Sequence, residues 1–403
     1  MHPATPHVSG MRGWFFAREL AKRGHRVVQI CEWREGTVVA PPPAQLAGLL
    51  KTHDWADPLV LAIKPKPRQL LKVIRSARTP ALLRKALVLG TYLCHSGMFP
   101  DFSQAVQPYL PELAREFQPH ATWGLFGNTD CWLIAQRLAR LSDCSWLADM
   151  KDSWDVFIPR TLRFALAQRF QDMAACTANA HFNADVLQRY FKPKPLVLYS
   201  GVDASFLTPV CLATEHVGFQ LTITGSVHNL ELLTRLVEAL QAWFSSSQGP
   251  GMSGATTSEV IYAGASAKQV EPILRLLSPV AKVTVHGFLP LSELAALCQS
   301  ANVNAYIWNS KTFHHKLLEL LSCGRPVIAF PGETNESKRL ASECGGQLEV
   351  TRDQSELIAV LNKFTQMPQP DFGSGIQKHD FSWPAQARRL EHLLIKASSD
   401  AKR

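Results

Sequence analysis

The chain has 403 residues, 46% hydrophobic and 19% charged, with a formal net charge of +9 at pH 7. That length exceeds what one core usually organises, so two domains are expected, and the composition excludes a disordered chain. No apolar run approaches the length of a membrane span, and MHPATPHVSG lacks the basic-then-apolar order of a secretory leader.

Nine cysteines without a CxxC pair read as reduced thiols, hence a cytoplasmic protein. No HExxH and no zinc-type Cys/His cluster occurs. His314 and His315 are adjacent, a poor geometry for chelating one ion from a helix, so no metal is expected; no cofactor is expected either.

In chain order, a helical pattern from Trp14 to Arg23 precedes the strand HRVVQI (25–30). A stretch without acidic residues then runs from Asp57 to Asp101. Within it, Lys64, Lys66, Arg68, Lys72, Arg75, Arg78, Arg84 and Lys85 interleave with Leu70, Leu71, Val73, Ile74, Leu82, Leu83 and Leu87. Segment 64–87 fits a basic helix on an anionic membrane surface, the solvated face of an ordinary helix, or a nucleic-acid contact, in that order of preference.

Next come the strand ATWGLFG (121–127), the helix DCWLIAQRLARL (130–141), the strand CSWLADM (144–150), a helical region over 159–176, a short strand at ACTANA (175–180), and PLVLYSGVD (195–203). After a break near 204–217 the rhythm repeats. Strands are expected at 218–225, 259–264, 281–287, 303–308 and 325–330, with helices at 229–244, 267–277, 291–300 and 314–323. Val/Ile-rich strands alternating with helices predict an α/β protein with parallel sheets covered on both faces. The break divides the chain into domains 1–207 and 208–380. Gly249, Gly251 and Gly254 spell G-x-G-x-x-G, but the match follows a helix and precedes a strand, the reverse of a dinucleotide fingerprint, which argues against a NAD dehydrogenase.

The stretch HHKLLELLSCGRPVIAFPGE (314–333) carries the chemistry. Lys316 and Glu319 share one helical face near its start, where free N–H groups and a lysine favour phosphate and a carboxylate one turn deeper can accept from ribose hydroxyls. An ordinary i,i+3 ion pair is the alternative.

KLLELLSCGRPVIA resembles the donor-site signature of group-1 (family 4) glycosyltransferases. VTVHGFLPLSELAALCQSANVNAYI (283–307), LYSGVDASFLTP (198–209), FSWPAQARRL (381–390), PHVSGMRGWFFARELAKRGHRVV (6–28) and SWLADMKDSW (145–154) resemble further segments of that family in the same order. The resemblance implies a GT-B fold, two Rossmann-like doubly wound domains facing a central cleft, with residues 381–403 closing back on the first. It implies retaining, metal-independent transfer of a sugar from a nucleotide diphosphate donor to a glycan or lipid-linked acceptor; no Asp-x-Asp motif occurs.

In that frame Glu319 takes the ribose. Three departures stand out: Lys311 replaces an earlier family Glu, TGSVHNLEL (224–232) lacks the family's diphosphate Arg and Lys, and Lys151 replaces an acceptor-side His. Diphosphate binding then falls to Lys316, to backbone groups at Gly225 and Ser226, or to His228, with His315 beside them. Lys316 stabilises the departing diphosphate and Asp152 orients or deprotonates the acceptor, unless Asp152 is a helix cap. Asp149, Lys151 and Trp154 line the acceptor wall. Gly10 either lets backbone approach the donor phosphates or is a plain turn glycine.

Two other readings remain: a nucleotide-sugar epimerase, and a non-catalytic membrane-surface protein with a degraded donor site. Nucleic acid is not an expected partner; a peripheral site at the inner membrane face is. The resemblance also places a buried first strand before Gly10, but residues 1–9 make an unlikely central strand. Either a start lies upstream or the first sheet lacks a central member, which would leave the N-terminal domain the less stable one.

Overall fold

A computed structural model describes residues 2–5, 8–66, 69–209, 218–246, 258–309, 311–366 and 381–400. The decoy glycines 249, 251 and 254, and Arg68, lie outside these. The chain forms two compact units, residues 1–201 with 383–403, and residues 202–382. It crosses between them at Gly201–Val202 and returns at Ser382–Trp383, so the turn Ala204–Leu207 belongs to the second unit. Every strand pairing in the sheets is parallel.

The first unit holds two separate sheets. One pairs β1 (Val28–Glu32) with β2 (Leu59–Ile63). The other runs β3 (Ala121–Phe126), β4 (Ser145–Met150), β5 (Ala175–Ala178), β6 (Leu196–Val197) in that order. Among the described residues no strand joins β1 to β3. Residues 3–4 form a turn, and the first helix begins at Val8 rather than Trp14 and runs to Lys22. A Cβ at Gly13 would meet Gln29 Nε2 of β1 at 3.2 Å and Leu125 Cδ2 of β3 at 3.5 Å, so this helix lies against both sheets at the seam. Its Phe15 stacks on Trp383, and Phe16 meets Trp383 and Trp123 edge-on, which seats the helix Trp383–Asp400 on this unit.

Beneath β4 and β5 a dense aromatic core gathers Phe126, Trp132, Trp146, Trp154, Phe170 and Phe191. Each such side chain contributes about 1.5–3 kcal/mol by leaving water. The expected helix over 159–176 is shorter, a 3₁₀ turn at Arg160–Leu162 and a helix Arg163–Arg169, because β5 claims the chain from Ala175.

The second unit is one six-stranded sheet: β7 (Gln220–Thr224), β8 (Glu259–Ala263), β9 (Lys282–His286), β10 (Val303–Ile307), β11 (Val327–Phe330) and β12 (Leu348–Val350). The spatial order is β12-β11-β10-β7-β8-β9. β7, β8 and β10 are buried along their whole length, as strands of a parallel sheet covered on both faces must be, even at their polar positions Thr222 and Asn304. The helix Leu230–Phe244 shows why the sequence folds this way. Leu233, Leu236, Val237, Leu240, Trp243 and Phe244 recur at helical spacing and are buried, while the Asn229 side chain accepts from the N–H groups of Glu231 and Leu232 and fixes the start.

Candidate functional site

The chain goes from β7 out to β8 and β9, then crosses back to place β10 on the other side of β7. That reversal opens a crevice past the carboxyl ends of β7 and β10, the place where open parallel sheets take ligands. Gly225 and Ser226 follow β7; Trp308 and the segment to Lys316 follow β10.

His314 occupies the crevice. Its ring stacks on Tyr306 at 5.1 Å and lies 4.0 Å from Trp308, centroid to centroid. Tyr306 and Trp308 are two apart along an extended chain, so both point to the same side. Burial pushes the His314 pKa down to about 3, reinforced by the charges of Lys316 and His228, so the imidazole is neutral near pH 7. Its Nδ1 is buried and has no hydrogen-bond partner among the described residues. Below it, Tyr306 donates to Glu333 Oε2. Glu333 Oε1 accepts from the Thr334 N–H at 2.7 Å and the Ser337 hydroxyl at 2.8 Å. Burial raises the Glu333 pKa despite these bonds.

Lys316 opens the helix Lys316–Ser322 and pairs with Glu319 one turn on, both side chains about one-fifth exposed. Burial pulls the ammonium pKa down, but the Glu319 carboxylate outweighs it and the net shift is upward. The i,i+3 ion pair is thus formed. Seven residues make a short helix, so the charge here comes mainly from the lysine rather than from the macrodipole.

Gly225 has φ +98°, a conformation suited to glycine, and the nearest atom to a Cβ there would be His314 Cε1 at 3.8 Å. Its N–H donates to the Ala263 carbonyl at 3.1 Å and its carbonyl accepts from the Tyr262 hydroxyl at 2.6 Å. This corrects the expectation that Gly225 offers a backbone N–H to phosphate: it clears space, and Ser226 is the exposed residue of the turn. His228 is exposed, near enough for its charge to depress His314. His315, part-buried, packs its ring edge-on to Phe313 at 5.0 Å.

In the first unit three expectations are overturned. Asp149 is fully buried. It takes a bidentate bond from the Arg12 guanidinium, 3.0 Å from Nε and 2.7 Å from Nη2, and a third from the Thr177 hydroxyl at 2.7 Å. Arg12 also donates to Ser200 Oγ at 3.3 Å. A carboxylate so enclosed tethers the first helix to β4 and does not line an acceptor wall. Trp154 is fully buried, stacked on Trp132 at 5.6 Å, and belongs to the core. Gly10 is neither loop nor turn but lies inside the first helix, where a Cβ would strike the His2 carbonyl oxygen at 2.7 Å. Lys151 and Asp152, just past β4, stay part-exposed, with Nζ and Oδ1 3.5 Å apart. Asn183 donates to the Lys151 carbonyl at 2.9 Å and fixes that turn. Ser153 holds the cap position of the following helix, so Asp152 is not its cap.

His314, Trp308, Tyr306 and Glu333 were missed as site residues. Arg12 was missed as the partner of Asp149, since the two are far apart in sequence. Among the described residues no three His, Cys, Asp or Glu side chains gather as a metal site would need.

No protein-family profile matches the chain, and no curated protein is similar to it in sequence. Solved structures are similar in fold. Anabaena HepE in complex with UDP and glucose matches at TM-score 0.61 and 13% identity, over 97% of this chain and 97% of that one. Sucrose-phosphate synthase from Thermosynechococcus elongatus matches at 0.65 and 14%, over 97% and 93%. A UDP-N-acetylglucosamine 2-epimerase, so assigned provisionally, from Listeria monocytogenes matches at 0.53 and 11%, over 91% and 94%. The chain has the α/β GT-B fold, with two Rossmann-like units.

Proposed function

We propose that the protein is a glycosyltransferase that takes a sugar, with retention and without a metal, from a nucleotide diphosphate donor to a glycan or lipid-linked acceptor. The observation that carries this reading is the crevice beyond β7 and β10, where Lys316, Glu319 and a neutral His314 converge beside the side-chain-free Gly225. The chemistry needs positive charge on the departing diphosphate, which Lys316 supplies, and a carboxylate acceptor for the ribose hydroxyls, which Glu319 supplies. In the free protein these two neutralise each other. Donor binding exchanges that pair for Lys316–phosphate and Glu319–ribose contacts. His228, His315 and the Ser226 turn flank the phosphates.

Asp152 acts on the acceptor side, with Lys151 as its neighbour. A uridine nucleotide is the first donor to try, because HepE binds UDP and UDP-glucose on this fold. The epimerase likeness gives a second reading, action on the donor alone. The test is a thermal-shift screen against nucleotide sugars, since a ligand of the native state raises its apparent stability, followed by nucleoside diphosphate release with and without acceptors. Release that requires an acceptor supports transfer. Conversion of the donor sugar without acceptor supports the epimerase, and no shift with any nucleotide sugar refutes both.

A further inference from the structure

The basic stretch between Asp57 and Asp101 folds as two helices, Gln69–Arg75 and Ala81–His95, joined by a turn. Leu71 and Ile74, which interleave with the cations in sequence, are buried. The apolar face is carried instead by the second helix. Leu82, Ala86, Leu89 and Leu93 recur at spacings of three and four and so share one side. Leu82 is 82% exposed and Leu93 66%, with Leu83 at 49% and Val73 of the preceding helix at 44%. The opposite side is anchored by Thr91 and by Tyr92, whose hydroxyl bonds to Asn128 and to the Phe157 carbonyl. Next to that carbonyl, Val156 and Phe157 are also exposed.

Lys85 lies on the same helix beside this side, and Arg78 is in the turn that leads into it; both are exposed, as are Lys72 and Arg75 of the preceding helix, where Arg75 lies over the Phe99 ring. Arg84 is the exception in role: it donates to the Ser76 and Thr79 carbonyls and stiffens the turn.

We propose that the Ala81–His95 helix is a docking face for a bilayer with anionic headgroups, lying flat with Leu82, Leu89 and Leu93 in the acyl boundary and Arg78 and Lys85 at the phosphates. A face that is apolar at its centre and cationic at its rim matches such a surface in both respects. A nucleic acid would satisfy the cations and leave the leucines against charged phosphate. A second copy of this chain, placed symmetrically, would set cation against cation. The inference is independent of the donor site.

The test is co-sedimentation of the full chain with phosphatidylcholine vesicles and with vesicles containing phosphatidylglycerol, at low and high salt. Binding is expected on the anionic vesicles only and falls with salt, because screening shortens the reach of exposed charges. Leu82→Asp with Leu93→Asp should weaken it by at least roughly tenfold, the direction expected for charge placed on a lipid-facing side. The milder pair Leu82→Ser with Leu93→Ser should weaken it less, and Leu141→Asp, at the exposed end of another helix, should leave it unchanged. The proposal is overturned if the chain ignores both vesicles, binds them equally, or keeps its binding in both double variants. It is equally overturned if the leucine changes instead disperse a dimer, or if an RNA oligonucleotide binds through this face in preference to vesicles.

Discussion

Two clusters of ionisable groups, one in each unit, differ in how far the protein itself satisfies them. In the first unit, Arg12 and Asp149 are fully buried and each finds its partners within the protein. In the second, Lys316 and Glu319 are part-exposed, and the neighbouring His314 keeps a buried nitrogen that has no partner among the described residues. A saturated cluster has no capacity left for a ligand. One with an unused acceptor or donor at a crevice does, because leaving such a group unsatisfied costs about 1–3 kcal/mol that a ligand can recover.

The largest expected effect tests the first cluster. Arg12→Ala leaves Asp149 charged and unpaired in the core and should lower stability by about 3–5 kcal/mol, read by urea unfolding. A loss below about 1 kcal/mol would mean that water or a neighbour replaces the guanidinium, and the contrast would fail. In the second cluster, Glu319→Gln should weaken donor binding by about 1.5–3 kcal/mol in calorimetry. Its effect on stability should stay near 0–1 kcal/mol, roughly the value of a part-exposed ion pair. Unchanged affinity would remove the ribose role.

Asp152→Asn should reduce turnover while donor affinity holds and stability moves by no more than about 0.5 kcal/mol; turnover within a few-fold of the parent would take Asp152 out of the chemistry.

The smallest effects near neutral pH come from titration, and the two units should slope in opposite directions. His314 has its pKa lowered from 6.5 to about 3, so the unfolded chain binds the proton more readily, and its contribution is lost as pH falls from about 6.5 toward 3. In the first unit, burial raises Asp130 from 3.8 to about 6 even though it accepts from the Met98 and Phe99 N–H groups. Its native form binds the proton more readily, so its contribution improves as pH falls from about 6 toward 3.8. His314→Gln and Asp130→Asn should each flatten the corresponding part of the pH–stability curve; a variant curve parallel to the parent's would refute that assignment.

Much of the fold was legible because the alternation of Val/Ile runs with helical patterns leaves little choice of architecture. The strand LVLAI at β2 was overlooked, since five apolar residues between prolines carry no periodicity that distinguishes strand from buried helix. Of the candidate site, the meeting of Lys316 and Glu319 was legible because it is local, one helical turn apart. His314 was visible only as a neighbour of His315, for its character comes from Tyr306, Trp308 and burial. Asp149 and Trp154 read as site residues because a polar or aromatic residue near a strand end looks the same whether it faces a ligand or the core.

Sequence alone therefore determined the α/β class, the parallel sheets, the placing of Lys316 and Glu319 on one helical face and the acid-free stretch of positive charge. All of these depend on composition or on residues within a turn or two of one another. Tertiary structure alone decided that Arg12 closes on Asp149, that Gly225 spends its backbone groups on Ala263 and Tyr262, and that Leu71 turns inward while Leu82 and Leu93 stay out. The physical reason is that burial and partnership are set by contacts between segments far apart in the chain, and a side chain's chemistry is fixed by what surrounds it after those segments meet.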